Sequence, residues 1–364
     1  MTLISTTVQC DIRNSFRVQQ VAGLFDLPLS KTVQETFAVE VPGAEEDWRI
    51  GAIIGPSGSG KSTIARAAFG EAFYDPTYWP RDKAVIDGFG ALPIKQITHT
   101  LTAVGFGSPP SWLKPYHVLS TGEQFRCDLA RAMLSKASGS GLVVFDEFTS
   151  VVDRTVAKFA SAAVAKAIRG LRINTRLVAV SCHEDIVPWL APDWVVDMQP
   201  RELTRHTHPR RRLRRPKIEL EVVRAKHKVW RIFARHHYLS GSISRAAQVF
   251  LAVWHDTPVA LCAIVAMYGY QHRRRIHRLV TLPDFQGIGI GSRLLDHVAG
   301  IEQATGKRVN ITSSHPAIIA HCRGSPRWKT VAVRRSGASG RQSKAGHAIR
   351  SSRGRATVSF EFVE

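Results

Sequence analysis

The residues Gly55-Pro-Ser-Gly-Ser-Gly60-Lys61-Ser62 fit the pattern G-x-x-x-x-G-K-[ST]. Glycines at Gly55, Gly58 and Gly60 let the backbone wrap a phosphate at a helix start, with Ser57 and Thr63 adding amides to the cradle. Lys61 reaches the terminal phosphates, and the Ser62 hydroxyl suits Mg²⁺. Downstream, Leu142-Val-Val-Phe-Asp146-Glu147 is an apolar run ending in two acids. A carboxylate there, Asp146, holds Mg²⁺ directly or through water, and Glu147 can polarise an attacking water. The chemistry these residues fit is hydrolysis of Mg²⁺-bound ATP.

A second constellation lies far along the chain. Gln286-Gly287-Ile288-Gly289-Ile290-Gly291-Ser292 sits between an apolar run, Ile276–Leu282, and an amphipathic one, Ile290–Ala304. A glycine-rich strand-to-helix turn exposes N–H groups to a pyrophosphate. Taken alone, such a turn is as often structural as functional.

The elements that must position these groups divide the chain in two. Residues 1–203 alternate apolar runs with helical patterns and predict an α/β domain. Residues 204–217 are basic and Pro-bounded, the composition of a linker. In residues 218–364 the spacing predicts strands at Ile218–Val223, Gln248–Trp254, Val259–Met267, Ile276–Leu282, Val309–Thr312, Thr330–Val333 and Ala356–Val363, with helices at Lys228–His236, Ile290–Ala304 and Ala317–His321. This second domain is α+β with a mixed sheet. Ser336–Arg355, rich in Gly, Ser and Arg, predicts a mobile basic loop.

The order of motifs in the first half resembles the ABC class of ATPases. Leu119-Ser120-Thr121-Gly122-Glu123-Gln124 is similar to the signature of that class, Ser150-Val-Val-Asp153 to its D-loop, and His183 after Val180-Ser-Cys to its switch histidine. The resemblance implies a head-to-tail homodimer with ATP sandwiched between the P-loop of one copy and Ser120 and Gly122 of the other. It makes Glu147 the catalytic base and His183 a γ-phosphate contact. Thr121 and Glu123 depart from the usual signature, the interval from Lys61 to Ser120 is short, and Gln96 is a weak candidate for the Q-loop. Phe25, Phe37 and Trp48 are the aromatic candidates for stacking on adenine. In the second half, Leu279 to Leu295 resembles the coenzyme A motif of GNAT acetyltransferases, with Gln286 in place of the more frequent Arg. That resemblance implies an acetyl-CoA site on Leu279, Val280, Thr281, Gln286, Gly287, Gly289, Gly291 and Ser292, beside a strand that splays from its neighbour. It makes His277, on that strand, and His237, near the substrate channel, the candidate bases, with a structural or phosphate-binding role the alternative for each. It implies a general acid at His321 or Cys322, or none. The runs Phe145–Arg154 and His236–Ser240 resemble ABC-type ATPases fused to an acetyltransferase domain.

Charge narrows the partner. The chain has a formal net charge of +21. Residues 1–200 hold 19 Lys+Arg against 20 Asp+Glu, so all the excess lies beyond them, where clusters stand out at 210–217, 272–275 and 334–355. A one-sided excess fits a polyanion partner. The resemblance to ABC ATPases without membrane domains, which often work on DNA or ribosomes, and the analogy with some phage DNA-modifying enzymes favour DNA over RNA. The expected function is an ATP-hydrolysing acyltransferase of an amine on a nucleic acid. Two other functions fit the same sequence: a DNA-binding ATPase with a non-catalytic clamp, and an ATP-regulated acetyltransferase of proteins or small molecules. The five scattered cysteines read as buried thiols rather than disulfides or a zinc site. No apolar run is long enough to span a membrane, and no secretory signal opens the chain, so a cytoplasmic location is expected.

Overall fold

Five consecutive residues, Ile50–Ile54, are all buried, which is the demand of a strand covered on both faces. In the computed structural model this strand is central. The structure describes residues 2–29, 32–76, 78–135, 141–206, 213–237, 242–335 and 356–363. The sequence-predicted loop at 336–355, residues 207–212 of the linker and Tyr238-Leu-Ser240 lie outside them.

In chain order the elements are β1 (Thr2–Asp11), α1 (Phe16–Phe25), β2 (Thr32–Val41), β3 (Ile50–Ile54), α2 (Lys61–Phe69), α3 (Ile94–Ala103), α4 (Pro109–Trp112), α5 (Thr121–Ser135), β4 (Leu142–Phe145), α6 (Arg154–Arg169), β5 (Arg176–Ser181), α7 (Val187–Leu190), β6 (Trp194–Asp197) and β7 (Glu202–Arg205). They continue with β8 (Glu221–Ala225), α8 (Trp230–Phe233), β9 (Gln248–Trp254), β10 (Thr257–Met267), β11 (Tyr270–Thr281), α9 (Ile290–Ala304), β12 (Arg308–Ser313), α10 (Pro316–Gly324), β13 (Trp328–Arg334) and β14 (Thr357–Phe362). The chain forms two compact units, and they interleave along the sequence. One holds Met1–Asp75, Ser135–Ser150 and Asn174–Arg214; the other holds Pro76–Leu134, Val151–Ile173 and Arg215–Glu364.

The first unit is built on a five-stranded sheet, order β4-β5-β3-β6-β7, parallel except for β7. Parallel strands end together, so the loops after β3, β4 and β5 gather at one edge. Gly51 is required by packing: a Cβ there would lie 2.0 Å from the Trp194 ring. Trp194 meets Trp48 edge-on at 5.3 Å in the core beneath α2. Trp48 and Phe37 are both buried in that core, and Phe25 is exposed.

The second unit carries a seven-stranded mixed sheet, order β13-β14-β12-β11-β10-β9-β8. The β9–β10 hairpin turns at His255 and Asp256, whose φ values of 45° and 61° suit a tight primed turn. One face of the sheet is covered by α9, and Phe159 of α6 enters the same core. Phe159 meets Phe285 at 4.9 Å and Trp254 at 5.1 Å, both edge-on. Trp230 and Phe233 cover the other face. The helix predicted at Lys228–His236 is only α8 with 3₁₀ turns on each side, since Trp230 and Phe233 alone of these residues are buried. The first strand of this sheet starts at Glu221 rather than Ile218, although Ile218 and Leu220 still pack on the core.

Two irregularities in β11 open the sheet. Its parallel ladder with β12 covers only Arg273–Arg275, paired to Arg308–Asn310. Beyond that point β12 pairs only with β14 and β11 only with β10, so the two diverge. The β10 register also slips at Ala263/Ile264, which leaves His277 as the extra residue of a bulge.

Candidate active sites

The glycine loop after β3 has the conformation its sequence requires. Gly55, Gly58 and Gly60 have φ of 145°, 80° and 83°, values that side chains rarely adopt. A Cβ on Gly60 would also lie 2.4 Å from the Phe37 ring. Lys61 Nζ donates to Pro56 O at 2.7 Å, folding the lysine over the loop. Ser57 is exposed, and Thr63 follows Ser62 in the first turn of α2. Ser62 Oγ donates to Asp146 Oδ1 at 2.9 Å. A hydroxyl and a carboxylate held this close suit a hard cation that takes its other ligands from phosphates and water.

After β4 the chain turns sharply. Glu147 and Thr149 both have positive φ, 50° and 68°. Left-handed conformations at non-glycine residues are strained and persist only where the surroundings hold them. Phe148 N donates to Val180 O at 2.7 Å, and Ser150 Oγ donates to Glu147 Oε2 at 2.6 Å. Glu147 is thereby exposed and fixed in direction. His183 follows β5, half-buried, with its amide donating to Ser181 Oγ at 3.1 Å.

The signature-like segment belongs to the second unit. The glutamate at Glu123, a departure from the signature that the segment resembles, has a local cause. Ser120 Oγ accepts from Glu123 N at 3.3 Å, and Glu123 Oε2 accepts from Ser120 N at 3.1 Å, which is a capping box at the start of α5. Gln124 Nε2 donates to the carbonyls of Tyr116 and Leu119. Gly122 is buried, and a Cβ there would press on Val156 at 3.0 Å. Glu123→Ala is expected to cost about 1 kcal/mol through the lost cap; thermal unfolding of the variant measures it. Gln96 is exposed on α3.

The divergence of β11 from β12 forms the wall of a cavity of about 500 Å³. Leu279, Val280 and Thr281 line it from β11, and Ile311, Thr312 and Ser313 from β12. Gln286, Gly287, Gly289, Gly291 and Ser292 line it from the loop that opens α9, and His237 and His277 line it as well. The expected coenzyme A residues and both candidate bases therefore line one space.

Segments from the first half of the sequence complete this cavity. Gln286 Oε1 accepts from Gly107 N at 2.7 Å, while its Nε2 donates to Ser108 Oγ at 3.0 Å and Thr281 O at 2.8 Å. An arginine could not accept from Gly107, which explains the glutamine. His315 Nδ1 accepts from Ala317 N, so its Nε2 carries the proton given to Gly107 O at 2.9 Å. Fully buried Arg126 donates to Asp284 O at 3.1 Å, and Lys166 Nζ donates to Ile288 O at 3.0 Å. A Cβ on Gly287, φ 89°, would lie 2.5 Å from Ala163 Cβ and 2.8 Å from Gly105 Cα. No pattern in the sequence singles out Gly105, Gly107, Arg126, Lys166 or His315.

Both candidate bases are held neutral. Burial, then Arg278, His277 and His315, lowers His237 to about 3. Burial, then Arg278 and Arg275, lowers His277 to about 4. The unfolded chain titrates them near 6.5, so it binds more protons than the folded chain between those values. Their contribution to stability is full above pH 6.5 and is lost as pH falls toward about 4 for His277 and about 3 for His237. The melting temperature is expected to drop over that interval, less steeply in His237→Gln. His277 Nε2 also accepts from Ser244 N at 3.2 Å, which occupies one acceptor position.

His321 Nε2 lies 2.9 Å from Asp296 Oδ1 at the cavity edge. Cys322 is buried in the core and its thiol is pushed up to about 12, so it cannot serve as the acid. Cys127 and Cys262 are buried too, but Cys10 is exposed on β1, against the expectation of five buried thiols. Of the basic clusters, Arg274 pairs with Glu302 at 3.3 Å and Arg273 lies over the Tyr270 ring. No helix among the described residues is long and apolar enough to cross a membrane.

Residues 245–321 match the family model described as Acetyltransferase (GNAT) domain. Three solved structures are similar to parts of the chain. An IAA acetyltransferase from Bacillus cereus is 11% identical over 40% of this chain and 99% of its own, with a TM-score of 0.31. An acetyltransferase from Bacillus subtilis in complex with CoA is 11% identical over 41% and 99%, with a TM-score of 0.32. A bacterial ABC transporter cassette in dimeric form is 14% identical over 47% and 88%, with a TM-score of 0.36. No curated protein matches the sequence.

Proposed function

We propose that this chain, with its acetyltransferase-family segment at 245–321, is an ATP-hydrolysing acyltransferase that acetylates an amine of a nucleic acid, a DNA base in the first instance. The observation that carries the reading is the cavity where β11 leaves β12, lined by both a glycine loop and neutral histidines. The exposed edge of β11 can pair with the amides of a pantetheine arm, and the amides of Gly287 to Gly291 suit a pyrophosphate. In the reaction the acceptor nitrogen attacks the thioester carbonyl. A C–N bond forms, the C–S bond breaks, and the thiolate leaves. His237, neutral above pH 4, takes the amine proton directly or through water, and the leaving sulfur takes a proton from solvent or from His321.

In the first unit Lys61 and the glycine amides hold the phosphates of ATP, and Glu147 orients the attacking water. Ser62 and Asp146 would hold Mg²⁺, which would supply charge neutralisation at the phosphates when bound. Two copies of the chain enclose the nucleotide, with Ser120 and Gly122 of the second copy over the γ-phosphate and His183 beside it. Closure of that dimer engages the nucleic acid and exposes the base to be modified. The basic excess beyond residue 200 supplies the phosphate contacts.

One observation favours a second reading, an ATPase whose acetyltransferase-like half serves as a clamp: the Ser244 amide already occupies Nε2 of His277. Both readings require nucleic acid. ATP hydrolysis is therefore expected to be stimulated by duplex DNA, with the stimulation lost steeply between about 50 and 200 mM salt. Hydrolysis and binding indifferent to DNA and RNA alike would instead point to a protein or small-molecule acceptor.

A further inference from the structure

The cavity described above has more positive charge at its glycine-loop end than the loop itself requires. Lys166 from α6, Arg172 from the turn after α6 and Arg293 from the first turn of α9 all line it. Lys166 is half-buried, and its ammonium donates to the Ile288 carbonyl. Its ammonium sits 3.0 Å from where a Cβ on Gly289 would be, directly beside the amides of the loop. Burial, then Arg172, Arg215 and Arg293, lowers the Lys166 pKa. Among the described residues no carboxylate pairs with Lys166, Arg172 or Arg293. A half-buried ammonium beside like charges is unfavourable unless an anion joins it. An α-helix N-terminus and several unpaired cations at one mouth make a site for more than one phosphate group.

We propose that Lys166, Arg172 and Arg293 form a phosphate-binding cluster that holds the nucleotide end of the acyl-CoA. Two of its three side chains come from outside the acetyltransferase-family segment 245–321. The proposal rests on the acyl-CoA reading of this cavity. It makes α6, which begins four residues after Ser150, part of the acyl-donor site.

Calorimetric titration of the full chain tests it with CoA, pyrophosphate and acetyl-pantetheine, which lacks phosphates. Arg172→Met removes no side-chain hydrogen bond or ion pair among the described residues and leaves the Lys166–Ile288 bond of the loop in place; Lys166→Met and Lys166→Arg accompany it. The expected result is CoA affinity reduced about tenfold or more in each Met variant, largely kept in Lys166→Arg, and acetyl-pantetheine affinity unchanged in all. Equal CoA affinity in wild type, Lys166→Met and Arg172→Met would overturn the cluster. Failure of wild type to bind CoA, with pyrophosphate still held in a manner that depends on Lys166 and Arg172, would overturn the acyl-CoA reading and support the cluster. Failure to bind CoA and pyrophosphate alike would overturn both.

Discussion

Replacing Gly287 by Val is expected to abolish CoA binding and to destabilise the second unit by about 3 kcal/mol or more, because its side chain has nowhere to go. The residue has φ 89°, and its Cβ would strike Ala163 and the backbone of Gly105. Backbone cannot yield as a flexible side chain does. Strain from the left-handed conformation can be separated from the clash. Gly306 has φ 75° with nothing within 4 Å of an added Cβ, so Gly306→Ala carries the conformational cost alone, about 1 kcal/mol. Thermal unfolding and CoA titration of both variants measure the difference. A Gly287→Val chain as stable as Gly306→Ala, with CoA still bound, would mean that α6 and the Gly105 turn do not close this loop in solution.

The second large effect is expected at Glu147. Glu147→Gln keeps the volume of the side chain and an oxygen able to accept from Ser150 Oγ, but removes the negative charge. Loss of a positioned base typically costs two to four orders of magnitude, so ATP hydrolysis is expected to fall at least about 100-fold. ATP binding is expected to persist, since Lys61, Ser62 and Asp146 are untouched. A chain that holds ATP without hydrolysing it is also expected to accumulate as a dimer, which sedimentation in ATP reads directly. Lys61→Ala is expected to lose binding and hydrolysis together. Hydrolysis at the wild-type rate in Glu147→Gln would move the water-polarising role elsewhere.

The sequence made the local chemistry legible because that chemistry depends on short, contiguous patterns. The glycines at Gly55, Gly58 and Gly60 need positive φ whatever surrounds them, and they have it. Alternation and turn chemistry marked β9, β10 and the His255–Asp256 turn. The long-range construction left no such mark. Gly105 and Gly107 lie in an ordinary-looking stretch, and their role depends on a loop some 180 residues away. Arg126 reads as one more helical arginine until Asp284 is seen above it. The chain also reads as two domains in succession, whereas the compact units interleave. Interleaving of this kind is set by which apolar faces meet, Phe159 against Phe285 and Trp254 for instance, and spacing along the chain does not encode it. Glu123 and Gln286 show the reverse. Each departs from the motif that its segment resembles, and each departure is explained by one hydrogen-bonded neighbour: the Ser120 cap and the Gly107 amide.

Transfer of label from radiolabelled acetyl-CoA tests the central claim most directly. The purified chain, with ATP and Mg²⁺, would be given duplex DNA, single-stranded DNA, tRNA and a protein extract in separate reactions. The account predicts label in a nucleic acid, absent with Gly287→Val, and reduced with Glu147→Gln if hydrolysis drives engagement. Label confined to the protein extract, or no label anywhere while DNA still stimulates ATP hydrolysis, would contradict it.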